Sequence, residues 1–568
     1  MPIVFQKNKA SNAELFASLH PLLSHWFKHQ FKSFTEPQLH AIPNILAREN
    51  TLVSAETGTG KTLSAFTSIL NELISLSDLE KLEEKVYCVY ISPLRALSND
   101  IHKNLLEPLE DIKKSAKEKG KTISVPIAIR TGDTSQAERA KMLKKPPAIL
   151  ITTPESLAIL LNAPKFREKL REVQWVIVDE IHSLAENKRG VHLSLSLERL
   201  QRLSPSICRI GLSATVAPLE KIAEFLVGME NKKPRNCKIV NVSFLKKMDL
   251  KVISPLSDLI HTSQQQIQHA LYETLDQLIS QHKTTLIFTN TRAATERVVH
   301  HLKEKFPNKY MQGNLGAHHS SLSRQHRLNI ENRLKQGKLK CVVCSTSLEL
   351  GIDIGYIDLV ILLSSPKSVA RAIQRMGRSG HRLHDKVKGR LIVLDRDDLI
   401  ESAVLLKNAL EKKIDKIQVP TKALDVLAQH IFGIAIAEQI HVDELWTLIQ
   451  QSYCYRNLSK ATFLEVLDYL SGKYSSLELR QVYAKIWFDE ETGMIGKKGK
   501  LARVIYMTNV GTIPDEAKII VKIKDHKVGT IDEGFLERLQ KGDVFVLGGE
   551  TYQFRHALGM VAQVVPAY

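Results

Sequence analysis

Residues 55–62 read Ala-Glu-Thr-Gly-Thr-Gly-Lys-Thr, and residues 179–182 read Asp-Glu-Ile-His. Glycines in the first run let backbone N–H groups wrap phosphate oxygens, and a helix opening after it adds a favourable dipole. Ala55, Thr57, Gly58, Thr59 and Gly60 would form the cradle, Lys61 would reach the β- and γ-phosphates, and Thr62 would ligate Mg²⁺. The second run follows the apolar Val176, Ile177 and Val178, so its carboxylates stand at the C-terminal end of a strand, facing the crevice where α/β sheets bind ligands. Asp179 would hold Mg²⁺ through its water shell, Glu180 would orient and deprotonate the attacking water, and His182 could bridge to a second lobe. A third run, Gln374-Arg-Met-Gly-Arg-Ser-Gly-His-Arg382, packs three arginines into nine residues. A cation delivered by a mobile lobe raises phosphoryl-transfer rates by on the order of 10³–10⁵. Arg378 is the first candidate for it and Arg382 another. Read singly, the three runs could be a glycine-rich turn, carboxylates capping a helix and a basic loop facing nucleic acid. In this order they point to a motor ATPase that takes ATP and Mg²⁺.

The elements that must position these groups are legible as short apolar runs alternating with helical patterns. One set comprises residues 51–54, 86–92, 149–152, 175–179 and 209–213; a second comprises 285–289, 342–345, 359–363 and 391–394. Continuous runs of this kind are doubly covered parallel strands. The fold class expected is α/β, with two tandem parallel-sheet lobes and a polar linker at Gly228–Lys238. Residues 191–197 alternate like a strand, but the spacing of Leu193, Leu197 and Leu200 predicts a helix. Lys113–Lys121 is a lysine-rich loop by composition. Past residue 415, three helical stretches and an extended pair suit a winged helix, and from Leu501 a β-rich module is expected, with Arg503–Met507 as its first strand. The resulting division is 1–235, 236–412, 413–475 and 476–568.

The chain has 568 residues and a formal charge of +18. Such an excess steers towards polyanions. Six cysteines do not make a disulfide scaffold. Cys341 and Cys344 fall on an apolar run, where residues three apart face opposite ways and cannot readily chelate. His318-His319 and His381 with His384 lack companions at ligand spacing. No apolar stretch approaches the roughly 20 residues of a membrane span, and no signal-peptide pattern opens the chain. A soluble, cytoplasmic monomer is expected, without a membrane partner.

Further motifs stand in order along the chain: Phe34-Thr-Glu-Pro-Gln38, Ser92-Pro-Leu-Arg-Ala-Leu97, Arg130-Thr-Gly-Asp-Thr134, Thr152-Thr-Pro-Glu-Ser156, Ser213-Ala-Thr215, Leu286–Arg292 and Ser345–Asp353. With them the chain resembles superfamily 2 helicases. Residues 187–199, 211–218, 374–382, 425–429 and 509–514 narrow the resemblance to the Lhr (large helicase-related) family, especially its archaeal members. The resemblance implies two RecA-like lobes, a winged helix and the β-rich start of a family-specific C-terminal domain, in chains that usually continue a few hundred residues past Tyr568. By it, Gln38 would read adenine, and Gly351 and Asp353 would lie near the nucleotide. Pro93, Arg95, Thr131, Gly132, Thr153 and Pro154 of the first lobe would meet nucleic acid, as would Thr289, Asn290, Arg292 and Thr346 of the second. His381 stands where related helicases carry the last arginine of their final motif. The activity implied is 3′ to 5′ movement on single-stranded DNA with unwinding of DNA or RNA–DNA duplexes, in repair or recombination. The alternatives are an RNA helicase of the Ski2 type and an ATP-gated clamp or annealing protein.

Overall fold

The computed structural model describes residues 2–56, 58–93, 101–242, 247–349, 354–380, 386–473, 484–513 and 518–567. The chain divides into two compact units: residues 1–55, 59–243 and 416–512 form one, and residues 56–58, 244–415 and 513–568 the other.

The first unit is built on an eight-stranded sheet in the order Ile3–Phe5, Cys237–Val242, Thr51–Ala55, Cys208–Ser213, Trp175–Val178, Cys88–Ile91, Ile149–Thr152, Ile127–Arg130. Every pairing is parallel. Successive side chains serve opposite faces. Val53, Tyr90 and Ile177 join a core with Phe27, Ile42 and Phe66, whereas Leu52, Val89 and Val176 join one with Leu157, Leu193 and Phe225. Both faces are therefore covered, as the unbroken apolar runs require.

That second core does not stop at the lobe. Leu427, Ile431, Phe463, Leu467 and Ile495 of a helical module belong to the same apolar cluster. The module comprises helices Leu424–Ala437, Val442–Gln451 and Lys460–Ser471 and a three-stranded antiparallel sheet, Ile440–His441, Met494–Lys497 and Ile486–Asp489. Its hairpin lies past residue 475, where the sequence reading closed the winged helix.

The second unit carries six parallel strands in the order Met248–Ile253, Val387–Ile392, Leu359–Leu363, Thr285–Phe288, Cys341–Cys344, Leu315–His318. A five-stranded module, ordered His526–Asp532, Lys518–Ile523, Val561–Pro566, Glu550–Leu558, Val544–Leu547, shares a core with it through Ile519, Val521, Phe545 and Phe554. Cys341 and Cys344 are fully buried on their strand, and burial pushes both thiols up.

Three expectations are corrected. Gly228–Lys238 is not a linker: Met229–Glu230 and Lys233–Pro234 pair, and Cys237–Val242 inserts into the first sheet beside Thr51–Ala55. Lys113–Lys121 is not a loop: a helix, Glu107–Glu118, runs through it and buries Leu109, Ile112 and Ala116 beneath a solvated lysine face. Arg503–Met507 is not a strand: Ala502–Thr508 is helical and buries Ala502 and Tyr506, one helical turn apart, in the first unit. The helix expected across residues 191–200 is present as Lys188–Leu203.

Candidate nucleotide site and nucleic-acid interface

The strand Thr51–Ala55 ends on a fully buried Ala55, and the helix Lys61–Asp78 opens directly after Gly60. Gly60 has φ +85°, and a Cβ there would stand 2.6 Å from Gln38 Nε2, so only glycine fits. Gly58 is also left-handed, at φ +79°. Thr35 Oγ1 donates to the Thr59 carbonyl at 2.8 Å. Gln38 Oε1 accepts the Thr35 N–H at 2.8 Å, and its Nε2 reaches the Gly60 carbonyl at 3.4 Å. The proposed adenine reader thus braces the phosphate loop and completes a helix cap. Lys61 is buried, with Nζ donating to the Ala55 carbonyl at 2.6 Å. Thr62 follows it, half-buried.

Strands Thr51–Ala55, Cys208–Ser213 and Trp175–Val178 are in parallel register, so their carboxyl ends open on one edge. Asp179 stands there with its N–H on the Ile91 carbonyl at 2.8 Å. Its Oδ1 accepts the Glu180 N–H at 2.9 Å, and the Tyr90 hydroxyl donates to its Oδ2. Tyr90 stacks at 5.2 Å on Phe66, from the helix that the loop opens. One hydroxyl therefore couples the carboxylate to the loop's own helix. Glu180 holds φ +46° and ψ +40°, a left-handed conformation costing a non-glycine residue on the order of 1–3 kcal/mol. The turn aims a buried carboxylate out of the strand end.

His182 lies in the short helix Ile181–Ala185. Its Nδ1 accepts the Ala214 N–H at 3.2 Å and faces Ser213 Oγ at 3.3 Å, which leaves the proton on Nε2, 3.5 Å from Glu180 Oε2. Burial lowers the His182 pKa below its ordinary value, so the ring is neutral. It lies between Glu180 and the Ser213-Ala-Thr215 run of the same unit. Helix Lys188–Leu203 abuts Ile181–Ala185 at Gly190, where a Cβ would lie 2.0 Å from the Leu184 carbonyl.

The first-lobe strand-contact candidates share that edge, since Cys88–Ile91, Ile149–Thr152 and Ile127–Arg130 are also in register. Thr153 caps helix Pro154–Asn162 by accepting the Ser156 N–H at 3.3 Å. The Thr131 N–H donates to Thr134 Oγ1 at 2.9 Å, and Arg139 Nη2 donates to the Gly132 carbonyl at 3.1 Å. Arg189 ties two motifs together, from Nη1 to the Pro93 carbonyl at 2.9 Å and from Nε to Glu155 Oε1 at 2.7 Å. Burial lowers Arg130 to about 10.

In the second unit Thr289 Oγ1 meets Thr295 Oγ1 at 2.7 Å, and Asn290 Nδ2 donates to the Ser365 carbonyl at 2.8 Å. Arg292 Nη1 donates to Asp532 Oδ1 at 2.9 Å. Thr346 is exposed, past the end of Cys341–Cys344. Arg375 Nε pairs with Glu349 Oε2 at 3.0 Å and Nη1 with Asn290 Oδ1 at 3.3 Å. Arg378 Nη2 donates to the Glu349 carbonyl at 2.7 Å, so one residue organises two arginines. Thr57, Arg95, Gly351, Asp353 and Arg382 lie outside the described residues. Tyr90, Arg189 and Glu349 escaped the sequence reading. Each acts through a partner distant in the chain, although Tyr90, Arg189 and Glu349 lie within the runs 86–92, 187–199 and 345–353 that the sequence singled out.

Residues 35–224 match the DEAD/DEAH box helicase family, 269–382 the helicase conserved C-terminal domain, and 407–568 the winged helix domain of the Large helicase-related protein. The ATP-dependent helicase Lhr-Core of Methanothermobacter thermautotrophicus is 58% identical over 99% of this chain and 65% of its own length. This chain belongs to the Lhr helicase family. The Lhr-Core protein 2 of Thermococcus barophilus is 54% identical over 99% of this chain and 66% of its own. This Lhr chain thus spans about two-thirds of the length of these relatives. The structure of Mycobacterium smegmatis helicase Lhr bound to ssDNA and AMP-PNP superposes with a TM-score of 0.78 at 36% identity, over 88% of this chain and 62% of that one. The two parallel-sheet lobes of this Lhr chain are RecA-like. Among its described residues no helix is long and apolar enough to cross a membrane.

Proposed function

We propose that the chain is an ATP-dependent helicase or translocase that moves 3′ to 5′ on single-stranded DNA and opens DNA or RNA–DNA duplexes. The observation that carries this reading is the common edge of the first sheet, where phosphate loop, carboxylates and strand-contact motifs stand together. The Lhr relative held ssDNA and AMP-PNP in its structure, which supports the same substrates here.

Lys61 and the Gly58–Gly60 backbone hold the β- and γ-phosphates, and Gln38, already against Gly60, reads the base. Glu180 takes the proton of the attacking water, with His182 beside its carboxylate at 3.5 Å and bonded to the Ala214 N–H. Thr62 and Asp179 fit Mg²⁺, a hard cation that takes one or two carboxylates and substrate phosphates and keeps several waters. When bound, the ion neutralises charge developing on the phosphates. Arg378 supplies the further cation, steadied by Glu349. Strand contacts fall on Pro93, Thr131, Gly132, Thr153, Pro154, Thr289, Asn290, Arg292 and Thr346. Backbone and hydroxyl donors of this kind bind phosphates without reading sequence, so affinity should fall with salt.

The test is ATP hydrolysis on matched single-stranded DNA and RNA, with displacement followed from duplexes carrying a 3′ or a 5′ tail. DNA-stimulated hydrolysis with displacement from the 3′ tail alone is expected. Stimulation without displacement would make the chain a translocase core or clamp. Stimulation by RNA alone would return the Ski2-like reading.

A further inference from the structure

Helix Arg292–Lys305 follows the Thr289–Arg292 motif, and one stripe of it is given over to the β module. Residues 292, 296, 299 and 303 recur at spacings of four, three and four, which align them on a single helical face. Arg292 holds Asp532 at 2.9 Å. Glu296, only 5% exposed, accepts from both amides of the Gly548-Gly549 turn: Oε1 from Gly548, and Oε2 from Gly549 at 2.5 Å. His319 Nε2 meets the same Oε1 at 2.5 Å. Lys303 Nζ donates to the Gly549 carbonyl at 3.3 Å and lies 3.7 Å from Glu550.

The turn is shaped for this grip. Leu547 pairs with Glu550, so Gly548 and Gly549 form a two-residue hairpin loop, with φ +73° and +78°. Two left-handed residues in succession turn consecutive amides the same way and make an anion-binding nest. Here the anion is the helix's own carboxylate. A Cβ on Gly549 would stand 3.1 Å from Val299 Cγ1 of the helix and one on Gly548 3.0 Å from Leu322 Cδ2, and both positive φ values disfavour larger residues.

We propose that Glu296 is a positioning residue through which the β module sets the axial placement of helix Arg292–Lys305, and thereby of the nucleic-acid contacts at its N-terminal end. Thr289 and Arg292 stand at that end, Arg292 within the helix and Thr289 bonded to its Thr295, while Asn290 is held from outside the helix by Ser365 and Arg375. A slide of the helix therefore moves Thr289 and Arg292 relative to Asn290 without touching the phosphate loop. This inference rests on the strand-binding role given above to residues 289–292.

Hydrolysis is measured against the concentration of a thymidine oligodeoxynucleotide for wild type, Glu296→Ala, Glu296→Gln and Lys303→Ala, with oligonucleotide binding followed by fluorescence anisotropy without ATP. In Glu296→Ala the half-saturating DNA concentration should rise about tenfold, with KM for ATP and kcat at saturating DNA within about twofold of wild type, the pattern of lost strand binding. Glu296→Gln, which keeps one acceptor, should fall between it and wild type, and Lys303→Ala should shift by about threefold. Unmoved half-saturation in both Glu296→Ala and Lys303→Ala overturns the proposal. So does a parallel fall in kcat, ATP affinity and thermal stability, which a merely structural carboxylate would give. Should Glu296→Ala fail to fold, Lys303→Ala decides alone. A wild type that binds the oligonucleotide without stimulated hydrolysis breaks the motor reading and leaves the binding comparison to judge Glu296.

Discussion

The two appended modules are joined to their lobes in different ways. The helical module continues the first lobe's core: Leu157, Leu161 and Leu193 share one cluster with Leu427, Ile431 and Phe463. Buried polar groups sit inside that joint, with the rings of His192 and His430 4.3 Å apart and Gln429 Oε1 3.1 Å from His192 Nε2. The β module also shares apolar residues with its lobe, but a row of ion pairs and a capped turn grips it along one helix, and Arg292 and Asp532 there are 34% and 38% exposed. A buried apolar joint resists opening because its hydrocarbon surface would have to be returned to water. The half-exposed Arg292–Asp532 pair can be remade at low cost, whereas Glu296 at the centre of the grip is buried. The candidate groups divide too: Lys61, Thr62, Asp179 and Glu180 belong to the first unit, Arg375 and Arg378 to the second.

Substitutions test that division. Arg378→Ala on the second unit should lower hydrolysis by about 10³-fold, the lower bound for a charge-stabilising arginine, with ATP binding retained. A nearly unchanged rate in steady-state assays would move this role to Arg375 or Arg382. Glu180→Gln on the first unit should cost about 10²-fold or more while ATP still binds, as for loss of a general base. Wild-type turnover in that variant would remove Glu180 from the mechanism.

The first unit's rigidity has its own test. Glu198, 1% exposed, lies 2.9 Å from Arg209 and 2.8 Å from Arg235. Glu198→Ala would strand a buried guanidinium and should destabilise this unit by about 3–5 kcal/mol in chemical denaturation. A loss under about 1 kcal/mol would show that the surroundings relax, contrary to a fused core.

Acid probes the joint more gently. Burial lowers His192 to about 4 and His430 well below its usual value. Unfolded, both would titrate near 6.5, so the folded forms bind fewer protons. Their contribution is complete above about pH 6.5 and is lost as pH falls towards 4, about 3 kcal/mol for His192 alone. His318, in the second lobe, is also lowered by burial but lies away from this joint. All four tryptophans, 26, 175, 446 and 487, belong to the first unit, so their fluorescence reads it selectively. Denaturation midpoints that do not fall between pH 7 and 5 would contradict a neutral buried pair.

What the sequence made legible were groups that act with their neighbours in the chain. The phosphate loop, the Asp179-Glu180 pair and the strands beneath them are contiguous, and unbroken apolar runs are what doubly covered strands demand. Elements whose pattern was masked were misread. Lysines hid the Leu109, Ile112 and Ala116 stripe, and polar flanks hid the strand Cys237–Val242. Val504, Ile505 and Tyr506 imitated a strand where only Ala502 and Tyr506 face inwards. Groups whose partners lie far along the chain were beyond sequence reasoning. His182 finds Ala214, Glu349 finds Arg375, and Glu296 finds a turn some 250 residues away.

Gly190 gives the first unit a genetic signature. No side chain fits between it and the Leu184 carbonyl. A larger residue there must push helix Ile181–Ala185, and with it Glu180 and His182. In an unbiased selection for inactive variants, position 190 should score with the candidate carboxylates Asp179 and Glu180. Its second-site suppressors should gather in residues 181–185 rather than in the phosphate loop.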